Sequence, residues 1–176
     1  MGNVYHCSDF HLGHKNIPKY REQVSSVEHN DQFIIENWRA KKRDVVYMYG
    51  DMAFTAEGCR ILQQLPGRKT LILGNHDFQY VNNKQSMLLM AETFEIVKGL
   101  DKHSWKGLKF GQRIWQSHAP LAESELRGAL NIHGHIHDAE SNLDSDSYFN
   151  VNLDAIYPKT GKIMLSTDEV NELWEY

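Results

Sequence analysis

The chain has 176 residues, 41% hydrophobic and 24% charged, a composition that is ordinary for a globular protein and predicts one domain over residues 1–176. The formal net charge is -4, and no run of Lys and Arg is longer than 41–43, which argues against a dedicated nucleic-acid-binding surface. Two cysteines without Cys-x-x-Cys spacing and the lack of a long apolar segment exclude a disulfide scaffold and a membrane span, so we expect a cytoplasmic protein.

The first half of the chain alternates predicted strands with predicted helices. Compact apolar runs predict three buried strands, at 4–7, 45–49 and 70–73. We expect a loop at 13–23, a helix capped by Asn30 or Asp31 that ends near Lys42, and a helix that begins after Thr55. A third helix, which carries Met87 and Met90, follows the last of these strands. This order predicts a parallel sheet with helical crossovers.

The second half is predicted to consist mainly of shorter strands. These strands are expected at 95–97, 109–118, 130–137, 149–153 and 163–165. Thr167 is expected to cap a last helix, because Asp168 and Glu169 place negative charge in its first turn. Together the two halves predict an α/β protein.

Residue types that bind metals occur in five short clusters, most of them at the end of an apolar run. The clusters are Asp9-Phe10-His11, Gly50-Asp51, Gly74-Asn75-His76-Asp77, His118 and Gly134-His135-Ile136-His137. Ligands of a parallel sheet lie beyond the carboxyl ends of its strands, and the first three clusters fall at such ends. Each cluster alone could be a turn or a packed histidine, but their joint occurrence indicates a metal centre.

Spacing within two of the clusters suggests how the ligands converge. Asp9 and His11 are two residues apart, as are His135 and His137. Residues i and i+2 of an extended chain face the same side, so each pair is expected to direct two ligands to one place. The glycines that precede ligands are expected to allow tight turns. Carboxylate, imidazole and amide groups are what two cations about 3.5–4 Å apart need to hold a bridging hydroxide as nucleophile.

This order of motifs resembles the calcineurin-like metallophosphoesterase superfamily. The opening run at 8–17, Ser-Asp-Phe-His-Leu-Gly-His-Lys-Asn-Ile, and the Asn-Val-Asn-Leu-Asp run at 150–154 are similar to small, single-domain bacterial and phage members. The resemblance covers nearly the whole chain. It implies a four-layer α/β/β/α sandwich, in which two mixed sheets are flanked by helices.

The resemblance also implies a role for each candidate site residue. Seven residues would bind metals: Asp9, His11 and His137 the first ion, Asn75, His118 and His135 the second, and Asp51 both ions as a catalytic bridge. His76 would be catalytic, either donating a proton to the leaving oxygen or stabilising charge on the phosphoryl group. The cofactors implied are two divalent transition-metal ions, with Mn²⁺ as first choice and Fe, Ni²⁺ or Zn²⁺ as alternatives.

Two positions depart from patterns found elsewhere in the superfamily. Many members carry Gly-Asp-x-x-Asp, whose second Asp orients the imidazole that corresponds to His76, but here that position is Phe54. Asp77 or a backbone carbonyl is therefore expected to orient His76. No Arg follows, whereas the phosphoprotein phosphatases use one to clamp phosphate, and this difference favours phosphodiesters or small phosphorylated molecules. His14 either fixes its loop, which we favour, or contacts substrate.

The expected function is metal-dependent hydrolysis of phosphoester bonds, with phosphodiesters of nucleotide type as the first choice of substrate. A nuclease is the nearest alternative, since residues 8–13 also resemble the start of double-strand-break repair nucleases, although nucleic acid is not indicated by the charge. A non-catalytic scaffold that binds a partner protein is the alternative of another class. The sequence leaves the physiological substrate, the choice between monoester and diester, and the oligomeric state open.

Overall fold

A computed structural model of the chain describes residues 2–77, 84–104, 112–139 and 141–174. The strands in these ranges are β1 (Val4–Cys7), β2 (Val45–Met48), β3 (Arg68–Ile72), β4 (Ile96–Lys98), β5 (Asp101–His103), β6 (Ile114–Gln116), β7 (Leu130–His133), β8 (Tyr148–Asn150) and β9 (Leu165–Ser166). The α-helices are α1 (Val27–Glu36), α2 (Ala56–Gln64), α3 (Lys84–Thr93), α4 (Glu123–Leu126), α5 (Leu153–Thr160) and α6 (Thr167–Trp174), and Ile17–Lys19 forms a 3₁₀ turn.

The strands form two mixed sheets flanked by helices, as the sequence predicted. The first sheet has the order β4-β3-β2-β1-β9, in which β1 to β4 are parallel and β9 is antiparallel to β1. The second sheet has the order β5-β6-β7-β8, in which β5 is antiparallel to β6 and the remaining pairs are parallel. The parallel strands of each sheet therefore end at one edge, where ligands of α/β folds bind.

Apolar side chains on the two faces of the first sheet form two separate cores. On one face, residues such as Met48 pack with Leu62 and other residues of helices α1 to α3. On the other face, residues such as Ile72 pack with Ile132 of the second sheet and with helices α5 and α6. Burial of such a side chain stabilises the fold by about 1.5–3 kcal/mol. The first core therefore holds helices against the first sheet, and the second core holds the two sheets face to face.

Helix α1 begins earlier than the sequence predicted. Its cap is Ser26, whose side chain accepts a hydrogen bond from the backbone N–H of His29 at 3.0 Å. Asn30 and Asp31, the predicted caps, lie inside the helix. Their side chains form hydrogen bonds with the loop that follows β1 instead; Asp31 Oδ1, for example, accepts a hydrogen bond from Gly13 N at 3.0 Å. Asn and Asp are common helix caps, so their residue types predicted a cap here, although their side chains form hydrogen bonds with a loop distant in sequence.

Other helix and strand boundaries can also be compared with those predicted from the sequence. Thr55 caps α2 as predicted, because its side chain accepts from Gly58 N at 3.1 Å. Strand β6 falls within the strand predicted at 109–118, although 109–111 lies outside the described residues. Helix α5 was not predicted: it replaces the end of the strand expected at 149–153 and contains Pro158, a residue that disfavours helix interiors.

Backbone hydrogen bonds connect the segments that follow the strands. Asp9 N donates to Gly50 O, and His11 N donates to Asp51 O, both at 3.1 Å. The end of β1 also contacts the segment after β8, because Leu153 N donates to Ser8 O at 3.2 Å. The carboxyl ends of both sheets therefore meet in one place. Among the described residues, no helix combines the length and apolarity needed to cross a membrane.

Candidate metal centre

The seven residues predicted to bind metals converge where the two sheets meet. Potential ligand atoms of Asp9, His11 and His137 lie within 4.8 Å of one another, and those of Asp9, Asp51 and His118 do the same. The carboxylate common to these two groups is Asp9, whereas the resemblance assigned the bridge to Asp51. Both carboxylates are almost fully buried, so a bound cation would neutralise charge that water cannot.

Asn75 and His135 join the second group through His118. The Nε2 atom of His118 lies 2.9 Å from Asn75 Oδ1 and 3.0 Å from His135 Nδ1. Asn75 and His135 are exposed, whereas His118 is buried, so the group is open to solvent on one side. Three atoms that carry lone pairs, brought this close together, need a shared proton or a cation between them.

The backbone conformation of the candidate ligands explains why their side chains converge. This conformation is not the extended one that the sequence predicted. Five of the seven residues have positive φ angles: Asp9 (59°), His11 (53°), Asp51 (53°), His135 (69°) and His137 (50°). Among the described residues, the only other non-glycine with a positive φ is Arg127. Left-handed backbone costs about 1–3 kcal/mol per residue and concentrates at functional sites. The ligands are therefore turned toward one point by strained loops, not by alternation along a strand.

The glycines beside these residues are required for two different reasons. Gly50 has a φ of +88° and makes the tight turn that the sequence predicted. Gly74 lacks such an angle, but a Cβ there would collide with the carboxylate of Asp51. A Cβ on Gly134 would similarly collide with the side chain of Asp9. At these two positions glycine allows close approach of the backbone to a carboxylate, not a turn.

Hydrogen bonding fixes which nitrogen of His118 faces the centre. Its Nδ1 donates to the carbonyl of Tyr49 at 2.7 Å, which leaves Nε2 directed at Asp51 Oδ2, 3.4 Å away. Burial lowers the pKa of His118, but the hydrogen bond to Asp51 and the charge of Asp9 outweigh it and raise that pKa to about 9. Burial likewise opposes ionisation of Asp51, yet His118 holds the pKa of Asp51 below its usual value. The negative potential that retains a proton here also favours a metal cation.

The imidazole of His137 is oriented by a residue that the sequence did not identify as functional. Its Nδ1 donates to Asp154 Oδ2 at 2.7 Å, so Nε2 faces Asp9 Oδ1 at 3.8 Å. Burial raises the pKa of Asp154, but hydrogen bonds from His137 and Arg21 outweigh it and hold that pKa at about 2. A carboxylate behind a histidine is the usual outer support of a metal ligand.

The run at 150–154, which resembles the phage and bacterial subgroup, explains how Asp154 is placed. Asn150 Nδ2 donates to the backbone carbonyl of His137 at 2.7 Å. Asn152 caps helix α5, since its Oδ1 accepts from Asp154 N at 2.9 Å. Alternate residues of the run therefore hold the backbone of His137, start the helix, and bind the imidazole. The motif was the only signal that the sequence offered for this support.

His76 lies at the edge of the centre and is about half exposed. Its backbone N–H donates to Asp51 Oδ1 at 2.9 Å, and its Nε2 lies 3.9 Å from Asp51 Oδ2. Its ring packs against Phe54, with 4.7 Å between ring centroids. Asp77, expected to orient His76, instead accepts hydrogen bonds from Asp51 N and Gly74 N, both at 2.8 Å. Asp77 therefore supports the backbone, and ring packing positions His76.

Phe54 contacts two further imidazoles. Its ring stacks on His11 with 4.9 Å between centroids and an interplanar angle of 21°, and it lies 4.2 Å from the ring of His14. This packing agrees with the structural role favoured for His14. Burial, together with the charge of His11, lowers the pKa of His14, which keeps its imidazole neutral.

The donor set fits divalent transition-metal ions. It combines buried carboxylates, an amide oxygen and imidazoles, the mixture of oxygen and nitrogen that such ions bind. Burial and the charge of His118 lower the pKa of His135, so its imidazole is in the neutral form that can bind a metal. His11 Nδ1 is buried and has no hydrogen-bond partner among the described residues. The described residues therefore supply suitable donor types; His135 is already neutral, whereas His118, whose pKa is raised, must release its proton when a metal binds.

Comparison with known proteins places these features in a family. Residues 2–175 match the profile of the family described as calcineurin-like phosphoesterase. The Gene 66 protein of Mycobacterium phage L5 is 33% identical over 98 residues, which cover 52% of this chain and 47% of that protein. The match thus spans about half the length of that relative.

Two further relatives are similar over most of their length. The uncharacterized protein MJ1445 of Methanocaldococcus jannaschii is 28% identical over 179 residues, covering 97% of this chain and 85% of that protein. The crystal structure of AQ665, a protein of unknown function from Aquifex aeolicus, is similar with a TM-score of 0.71 and 26% identity, covering 97% of this chain and 98% of that one. The fold and the match to the family profile therefore extend over the same residues.

Proposed function

Since the chain belongs to the calcineurin-like phosphoesterase family, we propose that it is a hydrolase that cleaves phosphoester bonds with the help of two divalent metal ions. The observation that carries the proposal is the convergence of Asp9, His11 and His137 in one group and of Asp9, Asp51 and His118 in a second. Loop segments from both sheets supply these residues, and no packing requirement explains why buried carboxylates and imidazoles should meet there.

We assign the first ion to Asp9, His11 and His137 and the second to Asn75, His118 and His135. Two such ions, when bound, supply Lewis acidity toward the phosphoryl oxygens and a nucleophile at neutral pH. Asp51 is proposed as the bridging carboxylate, and the membership of Asp9 in both groups makes Asp9 a second candidate for that role. Mixed carboxylate oxygen and imidazole nitrogen donors suit Mn²⁺, Fe, Ni²⁺ and Zn²⁺ alike, and Mn²⁺ is our first choice among them.

His76 is proposed to assist departure of the leaving group. Its imidazole is about half exposed at the edge of the centre, and its Nε2 is 3.9 Å from Asp51 Oδ2. The side chain can thus reach a substrate that lies over the buried carboxylates. A protonated imidazole there would donate to the leaving oxygen or stabilise charge on the phosphoryl group.

A cavity that borders one of the seven candidate ligands, His137, is of a size that suits small phosphorylated or nucleotide substrates, although the other six and His76 do not line it. It has a volume of about 670 Å³, borders His137 and Asp154, and extends to Phe149 and Trp174. Cavities of roughly 300–1,000 Å³ hold small ligands, and aromatic side chains suit an organic ring. Its walls carry Asp138 and Asp146 as well as Lys159, which disfavours a polyanion. A phosphodiester with one nucleoside-sized group is therefore the substrate that we favour.

A substrate panel with Mn²⁺-loaded protein tests the proposal. It should compare bis-nitrophenyl phosphate, nitrophenyl phosphate, cyclic nucleotides, and single- and double-stranded DNA and RNA, with Asp51→Asn as the inactive reference. We expect the diester and nucleotide substrates to be hydrolysed fastest. Faster cleavage of DNA or RNA would favour the nuclease alternative, and no hydrolysis of any of these substrates by a metal-loaded protein would favour the scaffold alternative.

A further inference from the structure

Arg21 is fully buried beside the proposed metal centre, although no role was expected for it from the sequence. Its guanidinium binds Asp154 twice, with Nε 2.6 Å from Oδ1 and Nη2 3.0 Å from Oδ2. Nη2 also donates to the backbone carbonyl of Asp9 at 2.9 Å. Nη1 donates to the carbonyl of Phe10 at 3.2 Å and to Asn30 Oδ1 at 2.7 Å. Every nitrogen of the guanidinium is thus engaged.

Such a buried charge is not explained by stability alone. Desolvation of an arginine and a carboxylate costs several kcal/mol, and apolar residues of similar volume often stabilise a core equally well. The planar fork of arginine, however, can hold a carboxylate and two backbone carbonyls in fixed relative positions, which lysine cannot do. The contacts of Arg21 therefore indicate a role in geometry.

We propose that Arg21 is a positioning residue for the first of the two metal ions in the proposed function. It acts on two ligands of that ion at once. It holds the left-handed backbone of Asp9 through the carbonyl oxygen of that residue, and it holds the imidazole of His137 through Asp154. Asp9 and His137 come from segments more than 120 residues apart, and Arg21 fixes the distance between them.

The ligands assigned to the second ion alone are positioned without Arg21, although Asp9, whose carbonyl Arg21 contacts, belongs to both groups. His118 is held by the carbonyl of Tyr49, and the backbone around Asp51 and Gly74 is held by Asp77. None of these three contacts involves Arg21 or Asp154. Loss of Arg21 should therefore weaken binding of the first ion more than binding of the second.

Binding of Mn²⁺ to the metal-free protein tests the proposal independently of turnover. Calorimetry should show two ions on the unmodified protein, and electron paramagnetic resonance should show the coupled spectrum of a manganese pair. For Arg21→Lys and Asp154→Asn we expect one ion to bind about 10–100-fold more weakly and the spectrum to become that of isolated Mn²⁺. Arg39→Lys, which alters another bidentate pair with Glu169, is the matched control and should retain both ions.

A double variant tests whether Arg21 positions the metal ligands or only stabilises the fold. Arg21→Met combined with Asp154→Leu removes both charges and keeps the site filled, so the metal-free protein should be more stable to heat than Arg21→Met alone, which leaves the carboxylate of Asp154 without its arginine. Full stability is not expected to return, because Asp9 O and Asn30 Oδ1 lose their donor. We expect the weakened ion to remain weak, because His137 still lacks its carboxylate. Recovery of both ions in this variant would overturn the proposal and leave Arg21 a structural residue.

The outcomes also distinguish this inference from the proposed function. Two ions on the unmodified protein and two equally tight ions on Arg21→Lys and Asp154→Asn would overturn only the role of Arg21. A chain that binds no Mn²⁺ in any form would overturn the proposed function, and the role of Arg21 with it.

Discussion

His137 donates from Nδ1 to Asp154 Oδ2 at 2.7 Å, and this bond turns its Nε2 toward Asp9. His118 is fixed in the same manner by the carbonyl of Tyr49. In both imidazoles the nitrogen that faces the centre is therefore set by a partner on the opposite side of the ring. Prior orientation of this kind reduces the entropy that a metal ion must overcome on binding.

Substitution of Asp9 and of Asp51 should show which of these two buried carboxylates bridges the metal ions. Because Asp9 belongs to both groups and Asp51 to one, we expect both Asp9→Asn and Asp51→Asn to lower kcat/KM by at least about 100-fold through loss of metal. Elemental analysis should show fewer ions in each, and the variant that retains fewer identifies the bridge. Asp138→Asn, an exposed position on the cavity wall, is the control and should keep both ions. Unchanged turnover of Asp51→Asn would refute its assignment.

Removal of the His76 imidazole should affect substrates according to their leaving groups. If His76 donates a proton, His76→Ala should slow alkyl phosphodiesters by about 10²–10⁴-fold and nitrophenyl esters much less, since nitrophenolate leaves without protonation. Steady-state kinetics with the two substrate types measures the difference. His29→Ala, at an exposed position in α1, should leave both rates unchanged. Equal losses for both substrates would indicate charge stabilisation instead.

A methyl group on Gly74 should disturb the centre although it adds no charge. The added Cβ would collide with the carboxylate and backbone of Asp51, so we expect Gly74→Ala to bind Mn²⁺ at least about 10-fold more weakly. Gly99→Ala is a matched control, because nothing lies near the Cβ that it would add, and its stability should change by less than about 0.5 kcal/mol. Calorimetry should measure the Mn²⁺ affinity of both variants. Equal affinities would show that the backbone at Gly74 can move away from Asp51 to make room for the methyl group.

Glu169 should make stability depend on acid pH at a place distant from the metal centre. Burial opposes its ionisation, but hydrogen bonds from Arg39 and Lys162 outweigh it and lower the pKa of Glu169 from 4.5 to about 2. The folded pKa is depressed, so the stabilisation is present above the unfolded pKa of 4.5 and is lost as the pH falls toward 2. Screening by solvent limits it to roughly 1–2 kcal/mol.

Urea denaturation at several pH values tests this dependence. At pH 7 Glu169→Gln should unfold at lower urea than the unmodified chain, and the difference should shrink steadily as the pH is lowered below that unfolded pKa. Glu57→Gln, which alters an exposed pair with Arg60, should change stability by less than about 0.5 kcal/mol throughout. A difference for Glu169→Gln that is as large in strong acid as at pH 7 would contradict the assignment.

The candidate ligands could be predicted from the sequence because their signal is chemical and local. Asp51 follows an apolar run and a glycine, and Asn75 does the same, so each could be placed at a strand end without knowledge of its neighbours. The reason given for the convergence within the pairs 9/11 and 135/137 was wrong, however. Alternation in an extended chain cannot describe Asp9 or His137, whose left-handed backbone depends on contacts that only the folded loops provide.

The residues that support the ligands could not be predicted in the same way. Arg21 and Asp154 are 133 positions apart, and an arginine before a predicted helix is most often a surface residue. Asn30 has the residue type of a helix cap, yet its side chain binds Arg21 and the loop after β1. Helix α5 was missed because Pro158 argues against a helix, although the cap at Asn152 is sufficient to start a short one.

The metal content of the unmodified protein shows whether these residues hold two ions. After removal of all metals and reconstitution with Mn²⁺, elemental analysis should find close to two ions per chain, since two groups of ligand atoms converge around Asp9. A protein that remains folded and retains no Mn²⁺ would contradict the account.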